Sequence, residues 1–153
     1  MKVYIASPFF NPEQLELVKE IETLLDRNSI DYFSPRSFGV IKDMTQEEKK
    51  NRMEEIYNSN ISNIDNCNVM IAVVDWPDTG TMFELGYMAA SCELDRTRKI
   101  ITFTNKEKPV NVMLRYAIEA HASGIGMLSH NLVLLKKVGD VPEKFKNFPE
   151  VNT

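Results

Sequence analysis

Two carboxylates lie six positions apart in the segment WPDTGTMFELGYMAA, residues 76–90. Asp78 lies in a Pro/Gly turn, whereas Glu84 lies among bulky apolar residues at the predicted start of a helix. An ionised, partly desolvated carboxylate is the nucleophile needed to attack an anomeric carbon, and the first turn of a helix favours the ionised form. The residues from Thr81 to Glu84 also fit a capping box, in which Glu84 would only bind the backbone of Thr81. The pattern leaves both interpretations open.

The elements that would position these carboxylates alternate between strand and helix patterns. Asn11 and Thr45 each begin a capping pattern, which predicts a helix after each of them. A third helix follows from the quoted segment, and a fourth is predicted over residues 111–122. The predicted strands are residues 2–6, 31–34, 69–74 and 99–104, with a fifth in either 124–128 or 132–135.

This alternation predicts an α/β fold. We expect a flavodoxin-like, doubly wound parallel sheet of about five strands with helices on both faces, in one domain that spans residues 1–153. In such sheets ligands bind outside the carboxyl ends of the strands. Three polar loops are predicted there: residues 7–11, 75–81 and 104–111. The segment with the two carboxylates therefore lies where a site is expected.

Composition restricts the class of protein. The chain has 153 residues, is 43% hydrophobic and carries a net charge of −4, which argues against nucleic-acid binding. No apolar run is long enough to span a membrane, so a membrane partner is not expected. Cys67 and Cys92 cannot form a disulfide framework, and a reduced, cytoplasmic setting is the default. His121 and His130 lack partners at ligand spacing, so no metal site is expected.

Four segments together resemble the nucleoside 2-deoxyribosyltransferase family. They are MKVYIASPFFNPEQL, FSPRSFG, DTGTMFELGYMAA and PVNVM, and the resemblance covers residues 2–115 in order. The Asp-x-Gly-x-x-x-Glu-Leu-Gly-Tyr segment is the most diagnostic, whereas the C-terminal third aligns poorly. The resemblance implies exchange of nucleobases between a 2'-deoxyribonucleoside and a free nucleobase, with no cofactor.

The resemblance also implies roles for individual residues. Glu84 would form the covalent deoxyribosyl intermediate, and Asp78 would bind the sugar. Asn111 would reach the sugar 5'-hydroxyl in the site of a neighbouring subunit, which requires a homo-oligomer, either a dimer or a dimer-based hexamer. Flat bases would stack on aromatic rings, for which Trp76 and Tyr87 are further candidates. The implied substrate-binding residues are Tyr4, Phe9, Phe10, Asn60, Gly80, Asn111 and Met113.

One position departs from the family pattern. Asn60 stands where the family usually carries an aspartate that is thought to protonate the departing base. Asparagine can hydrogen-bond a base but cannot supply a proton as an acid. Asp65 lies five positions further on, which turns it away from the helix face of Asn60. If Asn60 replaces a missing acid, restoring the carboxylate with Asn60→Asp should speed base departure.

Two other functions remain open. The first is an N-glycoside hydrolase of deoxynucleosides or their 5'-monophosphates. The loop Ser7-Pro8-Phe9-Phe10 has no Gly-rich phosphate cradle, and Arg36 and Arg115 are the cations to consider. The second is a catalytically weakened nucleotide-binding module, which Asn60 keeps open. The sequence does not choose between purines and pyrimidines.

Overall fold

Five parallel strands form the central sheet of the computed structural model. The structure describes residues 1–38, 45–106, 110–146, 148 and 151–152, so part of the predicted loop 104–111 lies outside the described residues. The sheet has the strand order β2-β1-β3-β4-β6, which confirms the predicted α/β fold. A separate parallel pair joins β5 to β7. The strands are β1 (Lys2–Ala6), β2 (Asp31–Phe33), β3 (Val69–Val73), β4 (Lys99–Thr104), β5 (Val110–Asn111), β6 (Ala120–Ser123) and β7 (Val151–Asn152).

Helices connect the parallel strands of the sheet, as crossover connections require. The Asn11 side chain accepts a hydrogen bond from the Gln14 amide at 2.9 Å, which fixes the start of the first helix as predicted. Thr45 and Glu48 form a complete capping box at the start of the second. The helices are α1 (Pro12–Arg27), α2 (Gln46–Asp65), α3 (Thr79–Leu94), α4 (Val112–Ala117) and α5 (Ile125–Val138).

The two faces of the sheet bury different cores. Alternate residues of a strand point to opposite faces, so Val3 and Ile5 pack with α1 and α5, whereas Tyr4 and Ala6 pack with α2 and α3. β3 is buried along its whole length, as expected of a central parallel strand. The two clusters fix β1 and β3 side by side, and these are the strands whose carboxyl ends carry the site described below.

The prediction for residues 111–122 is wrong. The helix covers only Val112–Ala117, and residues 120–123 are the fifth strand of the sheet, β6. Both predicted positions of that strand, 124–128 and 132–135, fall at the start of α5 or within it. This strand could not be predicted from the sequence because Ala120 and Ala122 are small, buried residues without the β-branched side chains that are typical of strands.

No helix in the described part of the chain is both long enough and apolar enough to cross a membrane.

Candidate active site

A cavity of about 350 Å³ opens at the carboxyl ends of β1 and β3. Four segments line it: the loop after β1, the short 3-10 helix at Pro35–Phe38, the middle of α2 and the start of α3. Most of its surface is aromatic or aliphatic, with two carboxylates on the α3 side. The lining residues are Ser7, Phe9, Phe10, Pro35, Phe38, Ile56, Asn60, Asp78, Gly80, Thr81 and Glu84.

Glu84 does not cap a helix. Helix α3 begins at Thr79, so Glu84 lies in its second turn. The sequence had suggested the first turn. Its Oε1 atom accepts a hydrogen bond from the Tyr4 hydroxyl at 2.7 Å and another from Asn60 Nδ2 at 3.3 Å. The capping-box interpretation is therefore wrong, and the carboxylate faces the cavity.

Burial changes the protonation of Glu84. Loss of hydration raises the pKa of this carboxyl to about 7, the hydrogen bond from Tyr4 opposes the rise, and the nearby Asp78 charge adds to it. The ordinary glutamate pKa is about 4.3. The sequence predicted that the first turn of the helix would favour the ionised form, but Glu84 lies beyond that turn and its burial favours the protonated form. Near pH 7 the ionised and protonated forms coexist.

Tyr4 lies within the sheet and not in the wall of the cavity. Its side chain is fully buried, and its ring stacks on Phe33 with centroids 5.6 Å apart. Burial, together with the neighbouring Glu84, raises the pKa of Tyr4 far above its ordinary value, so the hydroxyl stays protonated and donates to Glu84. Tyr4 was predicted as a base-pocket residue, and the structure instead joins it to the carboxylate.

Asp78 is the N-cap of α3. Its Oδ2 accepts hydrogen bonds from the Thr81 amide and from the Thr81 hydroxyl, both at 2.7 Å. A Cβ atom at Gly80 would lie 3.3 Å from the same oxygen, which explains why a residue without a side chain fits beside the cap. Asp78 and Gly80 both line the cavity, so the cap leaves the Asp78 carboxylate beside the space where a ligand would lie.

Asn60 joins α2 to α3 across the cavity. Its Nδ2 atom donates to Glu84, while its Oδ1 atom is buried without a hydrogen-bond partner. Asp65 instead accepts a hydrogen bond from the Tyr87 hydroxyl at 3.0 Å, away from the cavity, as the helix spacing predicted. Ile56, one turn before Asn60, also lines the cavity. Its spacing of four residues from Asn60 is the sequence signal that marks the cavity-facing side of α2.

Two of the four candidate stacking residues lie at the cavity. Phe9 and Phe10 stack on one another with centroids 5.1 Å apart, and 66% of Phe10 is exposed. Trp76 instead lies under the Lys106 ammonium group, 5.0 Å from its ring centroid, and Tyr87 binds Asp65. Neither of these two lines the cavity.

Asn111 and Met113 lie outside this cavity. Asn111 caps α4 by accepting a hydrogen bond from the Met113 amide at 2.9 Å, and the Met113 side chain is 76% exposed. Met113 lines a second cavity, of about 460 Å³, with Arg96, Lys99 and ten other residues, none of which lines the cavity around Glu84. Within one copy of the chain, these two predicted substrate-binding residues therefore do not meet Glu84.

The cavity around Glu84 holds no cation from the described residues. Arg36 pairs with Glu22, and the Arg115 guanidinium lies 3.3 Å from the ring centroid of Phe148. Among the residues that the structure describes, no group of three or more His, Cys, Asp or Glu side chains is placed to hold a metal ion. The charge facing a ligand is therefore carried by Asp78 and Glu84.

Comparison with known proteins identifies relatives of the chain. A family model described as Nucleoside 2-deoxyribosyltransferase matches residues 3–138. No curated protein sequence matches. Among solved structures, the 2-deoxyribosyltransferase from Bacillus psychrosaccharolyticus aligns with a TM-score of 0.71 at 23% identity, over 84% of this chain and 90% of that one.

Two further solved structures are similar. The 2-desoxiribosyltransferase from Leishmania mexicana aligns with a TM-score of 0.50 at 26% identity, over 77% of this chain and 72% of that one. A conserved protein from Enterococcus faecalis V583 aligns with a TM-score of 0.54 at 16% identity, over 99% of this chain and 81% of that one. These likenesses agree with the α/β fold described above.

Proposed function

The chain belongs to the nucleoside 2-deoxyribosyltransferase family of pentosyltransferase enzymes, and we propose that it exchanges nucleobases on 2'-deoxyribonucleosides through a deoxyribosyl-Glu84 intermediate. One observation carries the proposal. Glu84 is a partly buried carboxylate that faces an apolar cavity with one oxygen bound by Tyr4 and Asn60. A carboxylate in such a place can form an ester with an anomeric carbon.

The proposed reaction has two steps. In the first, the free oxygen of ionised Glu84 bonds to C1' while the bond from C1' to the base nitrogen breaks, and the base leaves with that electron pair and takes a proton from water. In the second, a nitrogen of another base bonds to C1' and loses its proton to the hydroxide left by the first step, while the ester bond breaks and Glu84 regains its charge. Both steps pass through an oxocarbenium-like state, which the adjacent carboxylates stabilise.

The charges of the cavity favour nucleosides over nucleotides. A 5'-phosphate carries negative charge, which Asp78 and Glu84 would repel. No lysine or arginine lines the cavity among the described residues, so nothing there offsets the repulsion. The monophosphate hydrolase alternative is therefore disfavoured, and the proposed substrates are neutral 2'-deoxyribonucleosides and free bases.

A second copy of the chain would complete the site. Asn111 and Met113 lie outside the cavity of their own chain, and Met113 and Tyr116 are 76% and 85% exposed on α4. Large apolar side chains are also exposed beside the cavity, where Met53 is 56% and Phe83 54% exposed. If the α4 surface of one copy packs against the surface beside the cavity of another copy, both surfaces are buried and Asn111 moves towards the sugar. We therefore expect a dimer-based homo-oligomer.

We also propose that residues 1–153 form one domain and that the protein works in the cytoplasm. The two core clusters share the central sheet from β1 to β6, which supports a single folding unit. The thiols of Cys67 and Cys92 are both free, which fits a reducing compartment.

One incubation separates the candidate functions. The protein is mixed with a deoxynucleoside, with and without a second free base, and products are separated by chromatography. We expect a new deoxynucleoside only when the second base is present. Release of free sugar at the same rate in both mixtures would instead mean a hydrolase, and binding without turnover would mean a nucleotide-binding module. The matching ribonucleoside is the control, and equal rates on the two sugars would contradict the proposed 2'-deoxy preference.

A further inference from the structure

We propose that Asn60 is a positioning residue for the Glu84 carboxylate. The Asn60 amide holds the Oε1 atom of Glu84, so that the Oε2 atom bonds to the sugar. The inference rests on the proposed function, and it replaces the base-binding role that the sequence suggested for Asn60. It rests on the hydrogen bonds around Glu84, on the buried oxygen of Asn60 and on the partner that Asp65 already has.

The hydrogen bonds to Glu84 are one-sided. Tyr4 from β1 donates to Oε1 at 2.7 Å, and Asn60 from α2 donates to the same atom at 3.3 Å. No donor from the described residues binds Oε2. Two donors on one oxygen fix the rotation of the carboxylate and direct the remaining lone pairs towards the cavity.

The orientation of the Asn60 amide follows from the charge on Glu84. An amide turned the other way would place Oδ1 against the carboxylate, and two acceptors would repel. In the observed orientation Oδ1 is buried and has no partner, which is costly for a polar atom. The hydrogen bond from Nδ2 to a charged acceptor offsets that cost, because bonds to ionised groups are the stronger kind.

Asn60 does not serve as an acid for the departing base. A side-chain amide has no proton to give at neutral pH, and the buried Oδ1 offers a base no accessible acceptor in this arrangement. Asp65, the nearest carboxylate on the same helix, already binds Tyr87. The contact that remains for Asn60 at this site is the one to Glu84.

The inference reverses the expectation for Asn60→Asp. The change places a second carboxylate within about the distance that now separates Nδ2 from Oε1, which is 3.3 Å. Two carboxylates that close retain a shared proton, so less Glu84 is ionised at neutral pH. Exchange at neutral pH should then slow, whereas a restored acid would speed it.

Other groups around Glu84 define the background of the test. The titratable groups that act on its pKa are Tyr4 from β1 and Asp78 from the loop before α3. Helix α2 presents the uncharged side chains of Ile56 and Asn60 to the cavity. Replacing Asn60 therefore removes a donor from α2 without touching the charges already present.

The direct test is the titration of the Glu84 carboxyl. Protein labelled with ¹³C-glutamate is followed by NMR against pH, and Glu84→Gln identifies the resonance. Asn60→Leu keeps the size of the side chain but removes the donor, so it should raise the Glu84 pKa and move the acid limb of the kcat/KM profile to higher pH. At neutral pH kcat/KM should fall about tenfold, with KM nearly unchanged. Asn58 is an exposed position on α2. Asn58→Asp is therefore the matched control for the charge added by Asn60→Asp, and it should shift neither the Glu84 pKa nor the acid limb of the profile.

The possible outcomes separate this inference from the proposed function. A Glu84 pKa that is unchanged in Asn60→Leu, or faster exchange in Asn60→Asp, would overturn the positioning role. If the wild-type protein exchanges no base, the proposed function fails, yet the titration still decides whether Asn60 donates to Glu84. If Asn60→Leu does not fold, Asn60→Ser takes its place, since its hydroxyl is too short to reach Oε1.

Discussion

Two acidic residues, Asp75 and Glu84, follow the same strand, β3, and have opposite surroundings. Asp75 is buried and accepts hydrogen bonds from the Thr104 hydroxyl and from the amides of Asn105 and Lys106, the latter two at 3.0 and 3.3 Å. Both of its oxygens are bound, and the result is a fixed junction between the ends of β3 and β4. Glu84 has donors on one oxygen and a cavity beside the other.

The difference indicates what would separate a structural carboxylate from one that can react with a ligand. Burial alone does not do so, because both groups are shielded from water. What matters is whether the hydrogen bonds occupy both oxygens of the group. Both oxygens of Asp75 are bound, whereas Glu84 retains a free oxygen and has a pKa of about 7.

The largest expected effect is on exchange in Glu84→Gln. An amide oxygen cannot form the ester, so the exchange rate should fall by at least about a thousandfold, while circular dichroism and the oligomer remain unchanged. Mass spectrometry of the wild-type protein, quenched during turnover of a slow substrate, should show one deoxyribosyl group on Glu84. Near-normal exchange in the variant would show that Glu84 is not the nucleophile.

Removal of the Tyr4 hydroxyl should have the next largest effect. Tyr4→Phe keeps the buried ring but deletes the 2.7 Å hydrogen bond to Glu84. A hydrogen bond to a charged group contributes about 1.5–3 kcal/mol, so kcat/KM at neutral pH should fall roughly 10- to 100-fold. The same donor opposes the rise in the Glu84 pKa, so the acid limb of the pH profile should also move to higher pH. A reduced rate with an unmoved limb would argue against this pairing.

Asp75→Asn should affect stability instead of catalysis. Asn105 and Lys106 donate to different oxygens of Asp75, so in either orientation the new NH2 group would face one backbone N–H, and donors cannot bind donors. The free energy of unfolding should drop by about 2–4 kcal/mol, measured by urea denaturation. Exchange by the folded variant should stay within a few-fold of the wild type. A loss of activity as deep as that of Glu84→Gln would remove the distinction drawn between the two carboxylates.

The final expected effect is a change in the free energy of unfolding with pH. Because the folded pKa of Glu84 is raised to about 7, the folded protein holds a proton between about pH 4 and 7 that the unfolded chain releases. The stabilisation is therefore complete below pH 4 and is lost as the pH rises through 7. Glu84→Gln lacks this titration, so from pH 4 to pH 8 its stability should gain about 3 kcal/mol on that of the wild type. Unfolding free energies of the wild type and of Glu84→Gln that change in parallel from pH 4 to pH 8 would contradict the raised pKa of Glu84.

The central part of the fold was predictable from local sequence. Continuous apolar runs gave β1, β3 and β4, and the caps at Asn11 and Thr45 gave the starts of α1 and α2. The region around β6 was not predictable, because Ala120 and Ala122 carry no strand preference and their place depends on pairing with β4. Here tertiary pairing overrides local preference.

The sequence predicted the acidic residues of the candidate site but not the hydrogen bonds that they make. The sequence identified Glu84 and Asp78, but it could not show that Asp78 caps α3. The family resemblance implied a substrate-binding role for Tyr4, and the strand pattern did not reveal that its side chain faces α3. The sequence marked Asn60 only as a departure from the family pattern. Its hydrogen bond to Glu84 could not be predicted, because it depends on how α2 packs beside α3.

The hydrogen bond from Tyr4 to Glu84 joins residues 80 positions apart in the chain. β1 also pairs with β2 on one side and with β3 on the other. Contacts of such long range form slowly, because chain entropy must be lost before they stabilise anything. During refolding, exchange activity should therefore return only with the completed β1–β3 pairing, later than helical circular dichroism. A fragment that begins after β1 would retain Glu84 without the hydroxyl that orients it.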